Sequence, residues 1–218
     1  TFAVPQPLQE AYRFRPGQHL TLKASFDGEE LRRCYSICRS YLPGEISVAV
    51  KAIEGGRFSR YAREHIRQGM TLEVMVPQGH FGYQPQAERQ GEYLAIAAGS
   101  GITPILSMTR WLLVHKPRVD IEVVYTTKSP AHIVQRDWWR VMTECRPELK
   151  TRIFTKENAC TPYLTGRLTA ERLAELVPDY AERRLYACAS PGFMKHLDAW
   201  RRTLGIDDEH FRTEAFGC

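Results

Sequence analysis

One stretch in the middle of the chain, YLAIAAGSGITPI at 93–105, limits the possible folds more than any other part of the sequence. Residues Tyr93–Ala98 are apolar and uncharged, which is typical of a strand buried on both faces. A glycine turn follows, and from Ile102 to Leu113 apolar residues recur at helical spacing. A strand, a glycine turn and a helix in succession predict an α/β unit whose free backbone N–H groups converge at the positive end of the helix.

This turn leaves two interpretations open. Gly99 and Gly101 allow a positive φ and the close approach of a phosphate to the backbone, and Thr103 and Pro104 suit a first helical turn. The letters G-S-G-I-T-P are not the full G-x-G-x-x-G pattern, however. A plain strand-to-helix turn without a ligand therefore remains an alternative on this stretch alone.

The part of the chain before this unit predicts an antiparallel β structure. Short runs of period-two alternation are separated by turn pairs such as Pro16-Gly17 and Pro43-Gly44, which is typical of a barrel. One helix, beginning at Ser59, interrupts them. The predicted strands are Leu20–Phe26, Arg33–Ser36, Ile46–Ile53 and Leu72–Val76.

The part after it alternates strands with helices, which indicates βαβ units and a mostly parallel sheet. A polar stretch at Gln84–Gly91 is typical of a linker, so we predict two domains, 1–90 and 91–218. The predicted strands are Tyr93–Ala98, Ile121–Tyr125, Thr151–Phe154, Leu185–Ala187 and His210–Arg212, and the predicted helices are 102–114, Asp137–Glu144, Thr169–Leu176 and Gly192–Leu204.

Composition excludes few classes of protein. The net charge is +5 and the basic residues are dispersed, so we expect no nucleic-acid partner. No apolar run reaches the ~18 residues of a membrane span, and no signal peptide is visible. The six cysteines have irregular spacing and form no C-x-x-C pair, which predicts no metal site and favours a reducing, cytoplasmic location. Because the chain begins at Thr1 within an apolar segment, we expect it to be a piece of a longer protein.

Two motifs in the barrel part suit a charged, aromatic ligand. In R-C-Y-S at 33–36, Arg33 and Tyr35 point to one face of a strand and Ser36 to the other. A guanidinium binds phosphate oxygens in pairs, and a phenol ring packs flat on another ring system. In G-G-R-F-S at 55–59, a glycine turn leads into a helix, which predicts a second anion site. A surface Arg–Tyr pair and a hairpin end with a Ser cap are the ligand-free alternatives.

These motifs occur in a fixed order, with P-G-Q-H at 16–19 before R-C-Y-S and G-G-R-F-S, and A-A-G-S-G-I-T-P at 97–104 after them. In this order they resemble the ferredoxin–NADP reductase superfamily over essentially the whole chain. Residues 1–105 are most similar to the reductase component of phenylacetyl-CoA epoxidase systems. The second half is more similar to reductases of Rieske-type oxygenases and of the hybrid-cluster protein, so a hybrid of two reductases or a natural relative would both fit.

The resemblance implies an antiparallel Greek-key barrel that binds FAD, with FMN as the alternative. Arg33 would bind the flavin pyrophosphate, Tyr35 would stack on the isoalloxazine ring, and Ser36 would hydrogen-bond near N5 of that ring. The amides of Gly56, Phe58 and Ser59, with Arg57 beside them, would hold the phosphates, and Val50, Lys51 and Ala52 would lie beside the adenylate and the ring edge.

The resemblance also implies that the parallel-sheet domain binds NADH or NADPH. Gly99, Gly101, Thr103 and Pro104 would lie at the nicotinamide end, and Phe216 of E-A-F at 214–216 would approach the flavin. The family signature C-G-P-x-x-x-M is present as C-A-S-P-G-F-M, so Cys188 and Met194 agree with it. Ala189 and Ser190 replace Gly and Pro. This puts in question whether the coenzyme can approach the backbone closely at this turn. Cys188 would lie near the nicotinamide or, alternatively, serve only as a small buried residue.

The loop after the second parallel strand would decide between the two coenzymes, since a basic residue there favours a 2′-phosphate. Lys128 and Arg136 either meet that phosphate or stay solvated, and the resemblance of the second half favours NADH. The choice stays open at this point.

The activity implied by the resemblance is transfer of hydride from NAD(P)H to FAD, with Tyr35, Ser36 and Cys188 at the reacting rings, followed by electron transfer to an iron–sulfur or oxygenase partner. No C-x4-C-x2-C run is present, so a [2Fe–2S] carrier would lie outside this sequence or never have existed. Two alternatives remain. One is a non-catalytic flavin-binding interaction module, and the other is a nucleotide-binding domain joined to an unrelated barrel without flavin.

Overall fold

The computed structural model describes residues 1–26, 28–39, 42–82, 91–116, 118–158 and 160–216. It contains an antiparallel sheet, curved as a half-barrel, followed by a parallel sheet with helices, as the sequence predicted. The predicted linker Gln84–Gly91 falls, except for Gly91, outside the described residues. No helix of the described ranges has the length and apolar character that crossing a membrane requires.

The antiparallel sheet has the strand order β1-β4-β3-β2-β5, and one helix, α1, follows β4 in the chain. Its central hairpin pairs β2 with β3 along their length, and it encloses a core that includes Leu20, Leu22, Ile37 and Phe58. The elements are β1 Phe2–Ala3, β2 His19–Phe26, β3 Glu29–Arg39, β4 Glu45–Val48, α1 Arg57–His65 and β5 Glu73–Val74.

The parallel sheet has the order β11-β10-β6-β7-β8-β9, and every pair of neighbours in it is parallel. Its strands are β6 Glu92–Ala98, β7 Asp120–Thr127, β8 Leu149–Thr155, β9 Leu164–Thr165, β10 Arg184–Ala189 and β11 Phe211–Ala215. Its helices are α2 Ile102–His115, α3 Arg136–Cys145, α4 Ala170–Leu176 and α5 Pro191–Thr203. The side chain of Thr169 caps α4 by accepting a hydrogen bond from the backbone N–H of Arg172, as a Thr at this position predicts.

Alternate residues of β6 serve two separate cores. Tyr93, Ala95 and Ala97 face α2 and α3, whereas Leu94 and Ile96 face the side of α4 and α5. All five are buried, which explains the uninterrupted apolar run in the sequence.

Strand β3 connects the two sheets. Its residue Ile37 belongs to the half-barrel core, whereas Cys38 is buried in the same cluster as Ile105 and Leu106 of α2. The two halves therefore pack against each other through α2 and β3.

Candidate functional site

Two neighbouring cavities open where the half-barrel meets the parallel sheet. The larger, of about 510 Å³, includes the 55–59 turn, and we call it the glycine-turn cavity. The smaller, of about 460 Å³, is the His19 cavity. Residues 33–36 of β3 and Phe216 line both of them, so the two cavities share a wall.

Ten residues predicted for the site line the glycine-turn cavity, and they come from both halves of the chain. They are Arg33, Tyr35, Ser36, Lys51, Gly56, Arg57, Phe58, Ser59, Thr103 and Phe216.

The alternation of β3 separates the side chains of Tyr35 and Ser36. Tyr35 is half-buried beside Phe58, with the two ring centroids 5.9 Å apart and the rings tilted by 38°. Burial raises the pKa of Tyr35, against the opposing charge of Arg33, so the phenol stays neutral. Ser36 is buried on the opposite face. One strand thus contributes an aromatic ring from one face and a hydroxyl from the other, and both residues line the two cavities.

Cationic side chains surround the mouth of the glycine-turn cavity. Arg33 is exposed, and its Nη1 donates to the carbonyl of Arg32 over 2.7 Å. Arg57 forms an ion pair with Glu29, and Lys51 lies in the same lining. Three cations and one carboxylate therefore line this cavity, which suits a phosphate-bearing ligand.

The glycine turn differs from its prediction in two respects. Helix α1 begins at Arg57 rather than at Ser59, because the N–H of Arg60 already donates to the carbonyl of Gly56. The Ser59 hydroxyl accepts from the N–H of Ile53 and donates to the carbonyl of Gly56. The amide of Gly56 is also not free for the predicted phosphate contact, since this N–H donates to the carbonyl of Ile53 over 3.1 Å. The first amides of α1 remain suited to an anion, because a helix offers its initial N–H groups no internal acceptor.

The second half supplies Ser100 and Thr103 to the cavity wall, where the Thr103 hydroxyl donates to the Ser100 carbonyl over 2.9 Å. The turn between β6 and α2 has Gly99 at φ +57°, with open space beside it. Gly101 also has a packing role that the sequence did not predict. A Cβ there would lie 1.9 Å from the carbonyl oxygen of Cys188, so its lack of a side chain lets α2 pack against β10.

Eight predicted site residues line neither cavity. Cys188 is fully buried and burial raises the pKa of its thiol, with Glu214 acting in the same direction. Met194 packs in the core on the α4–α5 side. Lys128 lies after β7, with its Nζ 3.7 Å from Oε2 of Glu157. The others are Val50, Ala52, Gly99, Gly101 and Pro104.

Two titratable residues of the His19 cavity are not among the predicted site residues. Burial raises the pKa of Glu214 on β11 to about 7, and burial lowers the pKa of His19 at the start of β2. In the sequence, His19 indicates only part of a turn, and Glu214 only a neighbour of Phe216. Their common position depends on pairings distant in sequence, which no local pattern reveals. Within the described ranges, no three His, Cys, Asp or Glu side chains come together as ligands for a metal ion.

Family models match both halves of the chain. An oxidoreductase FAD-binding domain matches residues 1–83, and an oxidoreductase NAD-binding domain matches residues 95–199. The two matches meet the expectation of FAD and NAD(P)H as cofactors, and residues of both matched regions line the glycine-turn cavity.

Curated relatives cover the chain from end to end. It is 58% identical to one component of the 1,2-phenylacetyl-CoA epoxidase of Escherichia coli (strain K12), over 99% of this chain and 62% of that protein. It is 30% identical to the glycine betaine monooxygenase reductase of Chromohalobacter salexigens, over 100% of this chain and 59% of that protein. The chain thus spans about three fifths of the length of these relatives.

Solved structures share the fold. The FAD/NAD-binding domain of nitric oxide dioxygenase from Vibrio cholerae has a TM-score of 0.82 at 22% identity, covering 94% of this chain and 86% of that one. A ferredoxin–NADP+ reductase variant from Plasmodium falciparum has a TM-score of 0.78 at 14% identity, covering 98% and 86%. With the family models and the curated relatives, these neighbours show that the chain belongs to the ferredoxin–NADP reductase superfamily.

Proposed function

We propose that this chain is the flavin reductase module of an electron-transfer system, in which bound FAD takes hydride from NADH or NADPH and gives electrons singly to an iron–sulfur or oxygenase partner. The observation that carries the proposal is the glycine-turn cavity. Its wall combines Arg33 and Tyr35 of the half-barrel with Ser100 and Thr103 of the parallel sheet. A site built from both halves is what two cofactors meeting face to face require.

The cavity wall fits the diphosphate of FAD. Arg33 is exposed and its guanidinium donates to the adjacent backbone carbonyl, a contact that it can exchange for a phosphate by turning. The amides of Phe58 and Ser59 lie in the first turn of α1, where the helix dipole favours negative charge. We assign the diphosphate to these groups together with Arg57, and the adenylate side to Val50, Lys51 and Ala52.

The flavin ring is assigned to the space between Tyr35 and Phe216. The neutral Tyr35 ring, held beside Phe58, provides a flat support, and Ser36 offers a hydroxyl from the same strand. Phe216 is held in place because its backbone N–H donates to the carbonyl of Ala189 over 2.8 Å. These residues orient the ring and keep water from it.

The nicotinamide is assigned to the end of β6 and the start of α2, beside Gly99 and Thr103. Cys188 and Gly101 lie behind that wall in direct backbone contact. Because burial raises the pKa of Cys188, we assign it a spacing role as a neutral thiol and not that of a nucleophile. Pro104, in the first turn of α2, is assigned to this wall, whereas Met194 packs on the α4–α5 side and is assigned only an indirect role.

We assign residues 1–90 to the FAD-binding domain and 91–218 to the NAD(P)H-binding domain. Lys128 would face the adenosine ribose of the coenzyme, and a 2′-phosphate would have to compete with Glu157 for its ammonium group. Cys34, Cys38, Cys145, Cys160 and Cys188 are all free, which supports a reducing, cytoplasmic location.

An absorption spectrum tests the proposal directly. The purified protein, as isolated or after incubation with FAD, should show flavin absorption, and NADH or NADPH should bleach it under anaerobic conditions. Both coenzymes are compared at equal concentrations, since the preferred one will bleach at lower concentration. A yellow protein that neither coenzyme bleaches would indicate a flavin-binding interaction module instead. A colourless protein that does not take up FAD would overturn the assignment of the cavity.

A further inference from the structure

Four residues of β3, spaced two apart, share one face of the strand and line the glycine-turn cavity: Glu29, Leu31, Arg33 and Tyr35. At ~3.3 Å per residue, this wall is about 20 Å long. Its inner end is marked by Tyr35, whose ring packs against Phe58. Its outer end is marked by Glu29, whose carboxylate accepts a hydrogen bond from Nη1 of Arg57. The cavity is therefore an elongated cleft.

The opposite wall of this cleft follows the same alternation. The chain leaves β4 after Val48, which pairs with Ile37, and runs back along β3 towards the outer end. Three residues on this run line the cavity, again spaced two apart: Ala49, Lys51 and Ile53. Ile53 lies at the outer end, because its side chain adjoins Gly56, the residue before Arg57. Two walls of alternating side chains thus face each other.

The cleft continues well beyond the position assigned to the flavin phosphate. Arg33 lies about 7 Å from Tyr35 along the strand, but about 13 Å from Glu29. A mononucleotide flavin ends at its single phosphate. With that phosphate on Arg33 and the first turn of α1, FMN would leave the residues beyond it uncovered, whereas FAD has an adenosine that fills this space.

The residues beyond Arg33 suit a nucleoside, and we call them the outer cleft: Glu29, Leu31 and Ile53. Ile53 is 58% exposed although it lines a cavity, and Leu31 is half-buried on the facing wall. Two aliphatic side chains on facing walls provide apolar surface for a flat base. The carboxylate of Glu29 can accept from Arg57 and from a hydroxyl together, and acidic side chains bind ribose hydroxyls in this way.

We propose that the outer cleft binds the adenosine of FAD and makes this module select FAD over FMN. The inference rests on the proposed function and names the residues behind its choice of flavin. The adenine lies between Leu31 and Ile53, and Glu29 accepts hydrogen bonds from the ribose hydroxyls. Arg57, which pairs with Glu29, binds the second phosphate and separates the two negative charges.

The outer cleft refines the assignment of the adenylate side. Of Val50, Lys51 and Ala52, only Lys51 lines the cavity. Because Lys51 lies inward of Ile53 on the same wall, its ammonium group meets the diphosphate and the adenine lies beyond it.

The first test compares the two flavins on the FAD-free protein by titration calorimetry. The wild type should bind FAD at least about tenfold more tightly than FMN, since only FAD covers the outer cleft. Ile53→Ala should weaken FAD binding about fivefold and FMN binding by no more than about twofold. Val114→Ala, which truncates a 76% exposed aliphatic residue of α2, is the matched control and should change neither affinity.

The second test asks whether Glu29 contacts the ribose. The dideoxyadenosine analogue of FAD lacks both ribose hydroxyls, so the wild type should bind it about fivefold more weakly than FAD. Glu29→Ala should bind FAD and the analogue within about twofold of each other, whatever its affinity for FAD. Glu30→Ala is the matched control and should discriminate as the wild type does, because Glu30 points to the opposite face of β3 and pairs with Lys23 and Arg32.

Two sets of results would contradict the proposal. Equal affinities of the wild type for FAD and FMN, or equal losses of both in Ile53→Ala, would overturn the assignment of the outer cleft. A preference for FAD over the analogue that persists in Glu29→Ala would show that another group contacts the ribose and would remove Glu29 from the outer cleft.

These outcomes are separable from those of the proposed function. If the wild type binds neither flavin, or binds FAD but is bleached by neither NADH nor NADPH, the reductase assignment fails. If it binds FAD and is bleached but Ile53→Ala behaves like Val114→Ala, only the outer cleft fails.

Discussion

Arg33 should be nearly dispensable for folding, which makes its proposed role easy to isolate. Its guanidinium contacts the backbone of the adjacent residue and is otherwise exposed. Arg33→Ala should weaken FAD binding at least about tenfold, since a charge-assisted hydrogen bond contributes ~1.5–3 kcal/mol. The free energy of unfolding of the FAD-free protein should change by less than ~0.5 kcal/mol.

Fluorescence titration with FAD measures the first quantity and urea denaturation the second. Arg32→Ala is the matched control, because Arg32 points to the other face of β3 and pairs with Glu30. Unchanged FAD affinity in Arg33→Ala would remove this residue from the site, and equal losses in both variants would indicate only a general effect of charge.

Glu214 should make the stability of the FAD-free protein depend on pH. Its pKa rises from 4.5 to about 7 because burial disfavours the carboxylate. Between these values the folded protein holds a proton that the unfolded chain has lost, so the free energy of unfolding should fall as the pH rises from about 4.5 to about 7. Below that window both states are protonated, and above it both are ionised.

The Glu214→Gln variant should lack this component, and urea denaturation at several pH values measures it. The free energy of unfolding of the wild type minus that of the variant should decline with rising pH only between about 4.5 and about 7. A difference that is constant with pH would mean that the carboxyl of Glu214 titrates normally.

Local motifs named Arg33, Tyr35 and Ser36, and all three line the glycine-turn cavity. They were less informative at Gly56, whose amide closes its own turn, and at Gly101, whose constraint comes from the backbone of β10. His19 and Glu214 belong to the motifs P-G-Q-H and E-A-F, but the sequence did not indicate that they line one cavity. Both enter the cavity through pairings with distant strands, which the sequence of either segment does not contain.

At the scale of elements, the two glycines before α2 have separable functions. A Cβ on Gly101 would overlap the backbone of Cys188, and a backbone neighbour cannot move aside as a flexible side chain could. Gly101→Ala should therefore destabilise the protein by more than ~3 kcal/mol. Gly99→Ala should cost only ~1–2 kcal/mol, because it requires a left-handed backbone in open space.

Chemical denaturation of both variants compares these costs. If Gly99→Ala proved as damaging as Gly101→Ala, the contact with β10 would not be the cause.

The types of the larger elements were predictable because their patterns are strong, as in β6, α2 and β7. Several boundaries were not. The predicted strand Ile46–Ile53 is paired only to Val48, and Leu72–Val76 is paired only at Glu73–Val74. In both cases the alternation continues while the regular pairing stops, although β3 and β2 themselves run on, so the pairing and not the pattern sets the length.

At the scale of the molecule, the two halves should unfold together. Cys38 of the half-barrel is buried among residues of α2, and the four tryptophans all lie after residue 100. Leu22→Ala, in the half-barrel core at 1% exposure, should cost ~2–5 kcal/mol. Tryptophan fluorescence, which reports only on the second half, should shift in midpoint as far as circular dichroism does.

Fluorescence that keeps its wild-type midpoint in Leu22→Ala would show two independent units. Ala24→Ser, a conservative change in the same strand, serves as a control and should shift both signals only slightly.

The order of a β half followed by an α/β half could be predicted, because the apolar residues of each half repeat many times at the spacing of its own secondary structure. The cleft between them could not, since it depends on which face of β3 meets α2. The resemblance supplied the expectation that both rings meet there, and the shared lining of the two cavities is consistent with it.

Strand β3 contributes to two hydrophobic cores, and this has a consequence for exchanging domains between reductases. Its side chains alternate between two cores, with Ile37 in one and Cys38 in the other. A foreign second half would bring its own α2, whose apolar residues must fit the small Cys38 and the buried Ser36. Recombination between family members should therefore succeed when β3 and α2 come from the same parent, which requires a breakpoint outside the segment between them.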